Sequence, residues 1–141
     1  MSLKNKLFLF FLALLFSVNI EAVSKVCFQQ KCFNIEVAKT KKQRAKGLSG
    51  RDYLPNNSGM LFVYPSKGYY SFWMKGMLFP LDILWLNERR EVVTFYSGVP
   101  PCVVGECPLF SSNKQALYVL ELPSGSIEKL NIRSGSIATF N

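Results

Sequence analysis

The chain has 141 residues, 49% of them apolar and 18% charged, with a formal net charge of +8. That is the length of one domain, too apolar for a disordered polymer and basic enough to attract polyanions. It contains no histidine, which excludes a Ser-His-Asp triad, a Cys-His pair and any zinc site with His ligands.

Lys4 and Lys6 precede an unbroken apolar run, Leu7 to Phe16, after which Ser17 to Ala22 turns polar and ends on a small residue. This is the pattern of a secretory signal peptide over residues 1–22, with cleavage after Ala22. The run is too short to span a bilayer core of ~30 Å. Residues 23–141 are then read as a single exported domain, periplasmic or extracellular, with no stable membrane anchor after cleavage.

The four cysteines form two pairs of equal spacing, Cys27/Cys32 and Cys102/Cys107. An even count in a small exported chain predicts disulfides. Of the three connectivities, Cys27–Cys32 and Cys102–Cys107 are favoured because each closes a short turn-like loop. A four-cysteine metal site is the rival. Structural zinc sites usually leave about two residues between paired cysteines, not four. No Cys-x-x-Cys redox motif is present.

Val26–Phe28 and Phe33–Val37 read as a hairpin around Gln29-Gln30-Lys31. Thr40 caps a helix over Lys41 to Leu48, ended by Gly47 and Gly50. Strands are predicted over Met60–Tyr64, stopping at Pro65, and over Tyr69–Lys75 after a turn at Ser66-Lys67-Gly68. Asp82–Leu86 and Glu91–Tyr96 form a hairpin about Asn87-Glu88-Arg89-Arg90. A Pro- and Cys-bearing loop over Gly98–Pro108 follows, then a strand over Ala116–Leu122. A short helix starts near Ser126, and Ser136–Phe140 is the last strand. About eight strands and two short helices predict a mostly β fold (α+β by helix count), a compact antiparallel β-sandwich or open barrel. Ser-Gly-Ser-Ile occurs at Ser124–Ile127 and again at Ser134–Ile137 and reads as two turns rather than a repeat.

Four blocks, in order, resemble one family. They are Lys42-Gln43-Arg44-Ala45-Lys46-Gly47-Leu48 with Arg51 beyond; Gly59-Met60-Leu61-Phe62-Val63-Tyr64-Pro65; Phe72-Trp73-Met74-Lys75 leading to Pro80-Leu81-Asp82-Ile83; and Val119-Leu120-Glu121-Leu122 with Gly125 after it. From about Val26 to Phe140 the chain resembles the bacterial and archaeal domain of unknown function 192. The resemblance implies a compact, sandwich-like β fold with one helix after the first hairpin, and it implies no reaction. Two positions depart from the family pattern. Gly76-Met77 stands where Asn-Thr is usual, and Gly135-Ser136 where Gly-Asp is usual. If those polar residues hold a ligand in relatives, this chain is expected to hold it less well or to hold something else.

The candidate polar site is Trp73, Lys75 and Asp82, joined by Arg44 and Arg51. Arg and Lys supply donors, Asp82 accepts, and Trp73 offers a flat apolar face to an anionic or sugar-like ligand. The plainer reading is a brace in which Asp82 pairs with Arg44, Arg51 or Lys75 to hold the helix on the sheet, as a buried carboxylate requires partners in any role. A catalytic reading would make Asp82 the general base with Lys75 or Arg51 as stabiliser. A second carboxylate would have to be Glu121 or Asp52, and nothing in the sequence places either nearby. Met60, Met74 and Met77 are soft candidate ligands for copper(I), or core side chains filling gaps between aromatics. The positive charge could steer the protein to nucleic acid, acidic polysaccharide or anionic lipid, but Lys39, Lys41, Lys42, Arg44 and Lys46 read more simply as the solvated face of a helix; loose attraction to envelope polyanions is the rival, and no nucleic acid is expected.

Three functions stay open: a non-catalytic binding or accessory module of the cell envelope, a small enzyme, and a structural or interaction protein whose polar block is only a brace. The first is preferred. The partner expected is a small molecule or an anionic envelope component. No cofactor is called for, and a monomer is expected.

Overall fold

The computed structural model describes residues 22–141; apart from Ala22, the expected signal peptide lies outside them. β1 (Lys25–Phe28) and β2 (Lys31–Ala38) form the expected hairpin. Cys27 and Cys32 lie directly opposite in its register and are bonded, S–S 2.04 Å.

α1 (Lys41–Lys46) starts where the sequence signals it. The Thr40 hydroxyl accepts from the Gln43 N–H at 3.1 Å, and the Gln43 side chain accepts from the Thr40 N–H at 3.0 Å. These reciprocal bonds satisfy two N–H groups the helix leaves orphaned. Gly47, at φ 48°, ends it.

β3 (Ser58–Gly68) runs past Pro65, where the strand was expected to stop. The register against its later partner shifts between Val63 and Gly68. Pro65 sits in that irregularity, where no ladder bond demands its missing N–H. Of the predicted strand Tyr69–Lys75 only β4 (Ser71–Phe72) forms, paired with a two-residue strand the sequence did not announce, β7 (Phe110–Ser111). β5 (Leu81–Leu86) and β6 (Val92–Val99) form the second hairpin. β8 (Ala116–Pro123), α2 (Ser126–Lys129) and β9 (Thr139–Phe140) complete the chain.

The main sheet has the order β6-β5-β8-β3-β2-β1-β9. Its pairs are antiparallel except β2 with β3, which run parallel because α1 carries the chain across between them. The sheet curls into a half-barrel. Segment 135–138 hydrogen-bonds Arg90 and Val92 beside the β6 edge while β9 pairs with β1, so the C-terminal segment ties the two edges together at one end.

Both faces are covered. Phe28, Phe33, Leu61, Leu84, Val92 and Leu120 belong to a cluster that joins residues of β1 and β6 and so fills the concave side, with Ile127 of α2 as its plug. Met60, Phe62, Met74, Ile83, Trp85 and Val119 form a second cluster on the outer face. The 70–79 segment lies over that face, fixed by the Trp85 indole N–H donating to the Tyr70 carbonyl at 2.8 Å. All six residues of β5 are therefore buried, and its near-continuous apolar run follows from cover on both faces. The aromatics of Tyr69–Lys75 were expected to pair in the sheet. They cover it instead.

Cys102–Cys107 is also bonded, S–S 2.12 Å, and closes the loop after β6. Cys102 bridges Lys75, its N–H donating to the Met74 carbonyl at 3.2 Å. Among the described residues no helix is long and apolar enough to cross a membrane.

Candidate functional site

A cleft of about 260 Å³ opens between α1 and the 71–77 segment, over the outer face of β3 and β8. Its walls are Leu48, Phe62, Phe72 and Met77. Phe62 and Phe72 meet edge to face at 4.9 Å. Tyr64 lies beside them, its phenol pushed up to about 12 by burial, so it stays uncharged. Glu121 of β8 also lines the cleft. The residue is 5% exposed, and one carboxyl oxygen is fully buried with no hydrogen-bond partner among the described residues. Burial pushes the carboxyl up to about 8, so at neutral pH it is mainly a neutral acid.

Three cations stand at the mouth: Arg44 and Lys46 from α1, and Lys75. Arg44 is held by the backbone carbonyls of Lys39 and Val63, the latter at 3.1 Å, and its Cζ lies 4.8 Å over the Tyr64 ring. The Lys75 Nζ lies 5.2 Å over the Trp73 ring, which is 53% exposed. Among the described residues none of the three cations is in an ion pair. The site thus offers a hydrogen-bonding acid at the floor, an aromatic wall and a positive rim.

Of the residues singled out in the sequence, Arg44, Trp73 and Lys75 come together here. Arg51 and Asp82 do not. Arg51 makes a two-point ion pair with Glu36, at 2.6 and 2.7 Å, on the β2 surface. The Arg51 hydrogen bond holds the Glu36 carboxyl below its ordinary value. Asp82 alternates along β5 with Ile83 and so points to the concave side, away from the cleft. It meets none of the expected cations. Its Oδ1 accepts from the Gly98 N–H at 2.8 Å and the Ser97 hydroxyl at 3.3 Å, and its Oδ2 from the Ile127 N–H at 2.7 Å. Asp82 is a brace, but it works through backbone amides of β6 and α2 rather than through Arg or Lys. Asp52 is exposed and does not line the cleft. Met60, Met74 and Met77 are buried in the outer apolar cluster among aromatics, and no group of three His, Cys, Asp or Glu suited to a metal occurs among the described residues.

The sequence put Glu121 forward only as a second carboxylate without a place. A signal was nevertheless present. Ala116 to Leu122 is apolar but for Tyr118 and Glu121, and a strand that apolar is buried on both faces. A lone carboxyl in it has to be buried as well.

Fold and site together define a class: a small half-barrel with two disulfides and a basic-rimmed cleft over a buried acid. The family model described as "Uncharacterized ACR" matches residues 24–140. The chain belongs to that family, the domain of unknown function 192 (DUF192). It is 29% identical over 86 residues to a UPF0127 protein of Thermococcus kodakarensis, covering 60% of this chain and 51% of that one. It is 27% identical over 110 residues to a UPF0127 protein of Thermococcus gammatolerans, covering 77% and 67%. The chain therefore matches about half the length of the first of these relatives. Among solved structures, a Novosphingobium aromaticivorans protein of unknown function superposes with a TM-score of 0.76 at 26% identity, over 83% of this chain and 84% of that one. A Sinorhizobium meliloti protein, described as a candidate transcription regulator, superposes with a TM-score of 0.74 at 24% identity, over 82% and 90%; that likeness shows the fold alone.

Proposed function

We propose that this protein is a non-catalytic binding module of the cell exterior that takes a small molecule into the cleft over Glu121. The observation that carries this reading is the Glu121 carboxyl itself: it lines an open cleft, and its buried oxygen has no hydrogen-bond partner among the described residues. Leaving a polar group buried without a hydrogen bond costs about 2–7 kcal/mol. A ligand group that bonds the Glu121 carboxyl from the cleft recovers part of that cost, while an apolar residue there would have avoided it. Binding is favoured over catalysis because the sequence has no histidine and, among the described residues, the cleft supplies one acid and no second carboxyl to complete an acid–base pair. Export is supported by the basic and apolar start of the chain and by the two disulfides.

The test is a ligand-observed NMR screen of a mixed-charge fragment set against the native chain and Glu121→Leu. The variant is expected to be at least as stable as the native chain at neutral pH, because it removes a buried acid, and to lose the fragment hits. Hits that ignore the substitution, or no hit of any charge, would overturn the reading.

A further inference from the structure

Resting on the binding reading above, we infer that the ligand is a small organic anion with one flat ring. Its charged group sits at the mouth among Arg44, Lys46 and Lys75, its ring lies against Phe62 and Phe72, and an uncharged polar group reaches Glu121.

Size sets the first limit. A dry cavity of about 150 Å³ holds benzene, so about 260 Å³ admits one ring with one or two substituents and little more. Shape sets the second. Two of the cleft's four apolar wall residues, Phe62 and Phe72, are aromatic, and aromatic walls favour a flat partner over a branched one.

Charge sets the third. An isolated buried carboxyl by itself calls for an amine. Three cations at the mouth oppose that at every step of entry, and among the described residues none of them is in an ion pair and no carboxylate other than Glu121 lines the cleft. Arg44 is held in place before any ligand arrives, by two carbonyls and the Tyr64 ring. The Lys75 Nζ lies over the Trp73 ring, and Lys46 projects as an exposed side chain from α1. A positioned charge such as Arg44 loses little freedom on binding, so its attraction appears as affinity. The floor does not cancel it. A neutral acid at Glu121 presents one donor and one acceptor, which suits a hydroxyl or carbonyl at the far end of the ring.

The experiment uses three probes with the same ring and different heads: 4-hydroxybenzoate, 4-hydroxybenzamide and tyramine. Titration calorimetry at low salt is expected to rank the anion above the neutral amide by about tenfold or more, with the amine weakest. Raising the salt is expected to narrow that gap by screening the rim. Lys46→Gln with Lys75→Gln should lower the affinity for the anion far more than that for the amide, with Arg44 retaining part of the gap. An amine or amide that binds as tightly as the anion overturns the inference, as does an anion affinity indifferent to salt and to both lysine substitutions. If none of the three binds while other fragments dock against Glu121, the anion assignment falls and the binding reading stands. If no fragment of any charge docks, both fall.

Discussion

Two buried carboxyls on neighbouring strands show how far surroundings decide the behaviour of one chemical group. Asp82 and Glu121 lie on β5 and β8, which pair directly, yet they point to opposite faces. Asp82 receives three hydrogen bonds and serves as a brace. Glu121 receives none at its buried oxygen and is pushed up to about 8 by burial alone. That shift makes a prediction about stability. The folded protein keeps the Glu121 proton up to about pH 8, while the unfolded chain releases it near the ordinary value of 4.5. Between those limits the folded state binds more protons, so stability falls as pH rises, at up to about 1.4 kcal/mol per pH unit from this group. Below the lower limit both states are protonated and the slope vanishes. Glu121→Gln removes the proton and with it the slope. Urea denaturation across that pH range should show the native and variant curves diverging, with the variant gaining as pH rises. Parallel curves would mean that Glu121 is not held protonated. The burial of both carboxyls was legible in the sequence, since each interrupts an apolar strand. Which face each occupies was not, because shifting a strand by one residue exchanges its faces, and local spacing does not set that register.

At the scale of elements, what could be read was what is local. The α1 cap is a matter of Thr40 and Gln43 alone, and the structure forms it as the residues require. The hairpins of β1 with β2 and of β5 with β6 depend on short turns and were equally legible. The parallel pairing of β2 with β3 was not, because it is decided by how α1 packs. Nor was β7, whose two residues pair only because Phe72 and Phe110 meet across a long connection. The candidate site followed the same division. Arg44, Trp73 and Lys75 stand in blocks that declare themselves, but only the tertiary fold sends Asp82 to the far face and brings Glu121 beneath them. The cap has a functional consequence, because α1 carries Arg44 and Lys46 to the cleft. Thr40→Ala is expected to lower stability by about 1 kcal/mol. It should also weaken binding of an anion more than of its neutral analogue, since the first turn that fixes Arg44 would fray. Urea midpoints and paired titrations check both halves. An unchanged midpoint would show that the cap contributes nothing, and a loss shared equally by both ligands would separate the cap from the rim.

For the whole molecule the decisive feature is how the sheet is finished. An open seven-stranded sheet exposes two edges, each a template for pairing with another chain. Here one short segment attends to both. Val92 N–H donates to the Ser136 carbonyl at 2.8 Å, Gly135 N–H to the Val92 carbonyl at 2.8 Å, and Ala138 N–H to the Arg90 carbonyl at 2.9 Å. A few residues on, β9 pairs with β1, and Asn141 exchanges backbone bonds with Lys25 at 2.8 and 2.9 Å. Phe140 joins the sides again, its ring 5.1 Å from that of Tyr118 and 4.6 Å beneath the Arg90 guanidinium. The segment is therefore a clasp on the half-barrel rather than a loose end. Deleting residues 135–141 would unpair backbone groups along β1 and at Arg90 and Val92 together, and would uncover the concave core beside Ala138. Each net hydrogen bond is worth about 1 kcal/mol and each stranded buried group about 1–3 kcal/mol. The sum approaches the whole stability of a domain, about 5–15 kcal/mol. The truncated chain is expected to lose its cooperative urea transition and to associate through its opened edges, which size-exclusion chromatography would register as a shift to large species. The cleft, at the far side of the sheet from the concave core, gives the control. Phe140→Ala keeps the backbone bonds and should lower stability while leaving anion binding at its native level. A truncated chain that unfolded cooperatively at the native midpoint, and eluted as the native protein does, would show that the half-barrel stands without its clasp.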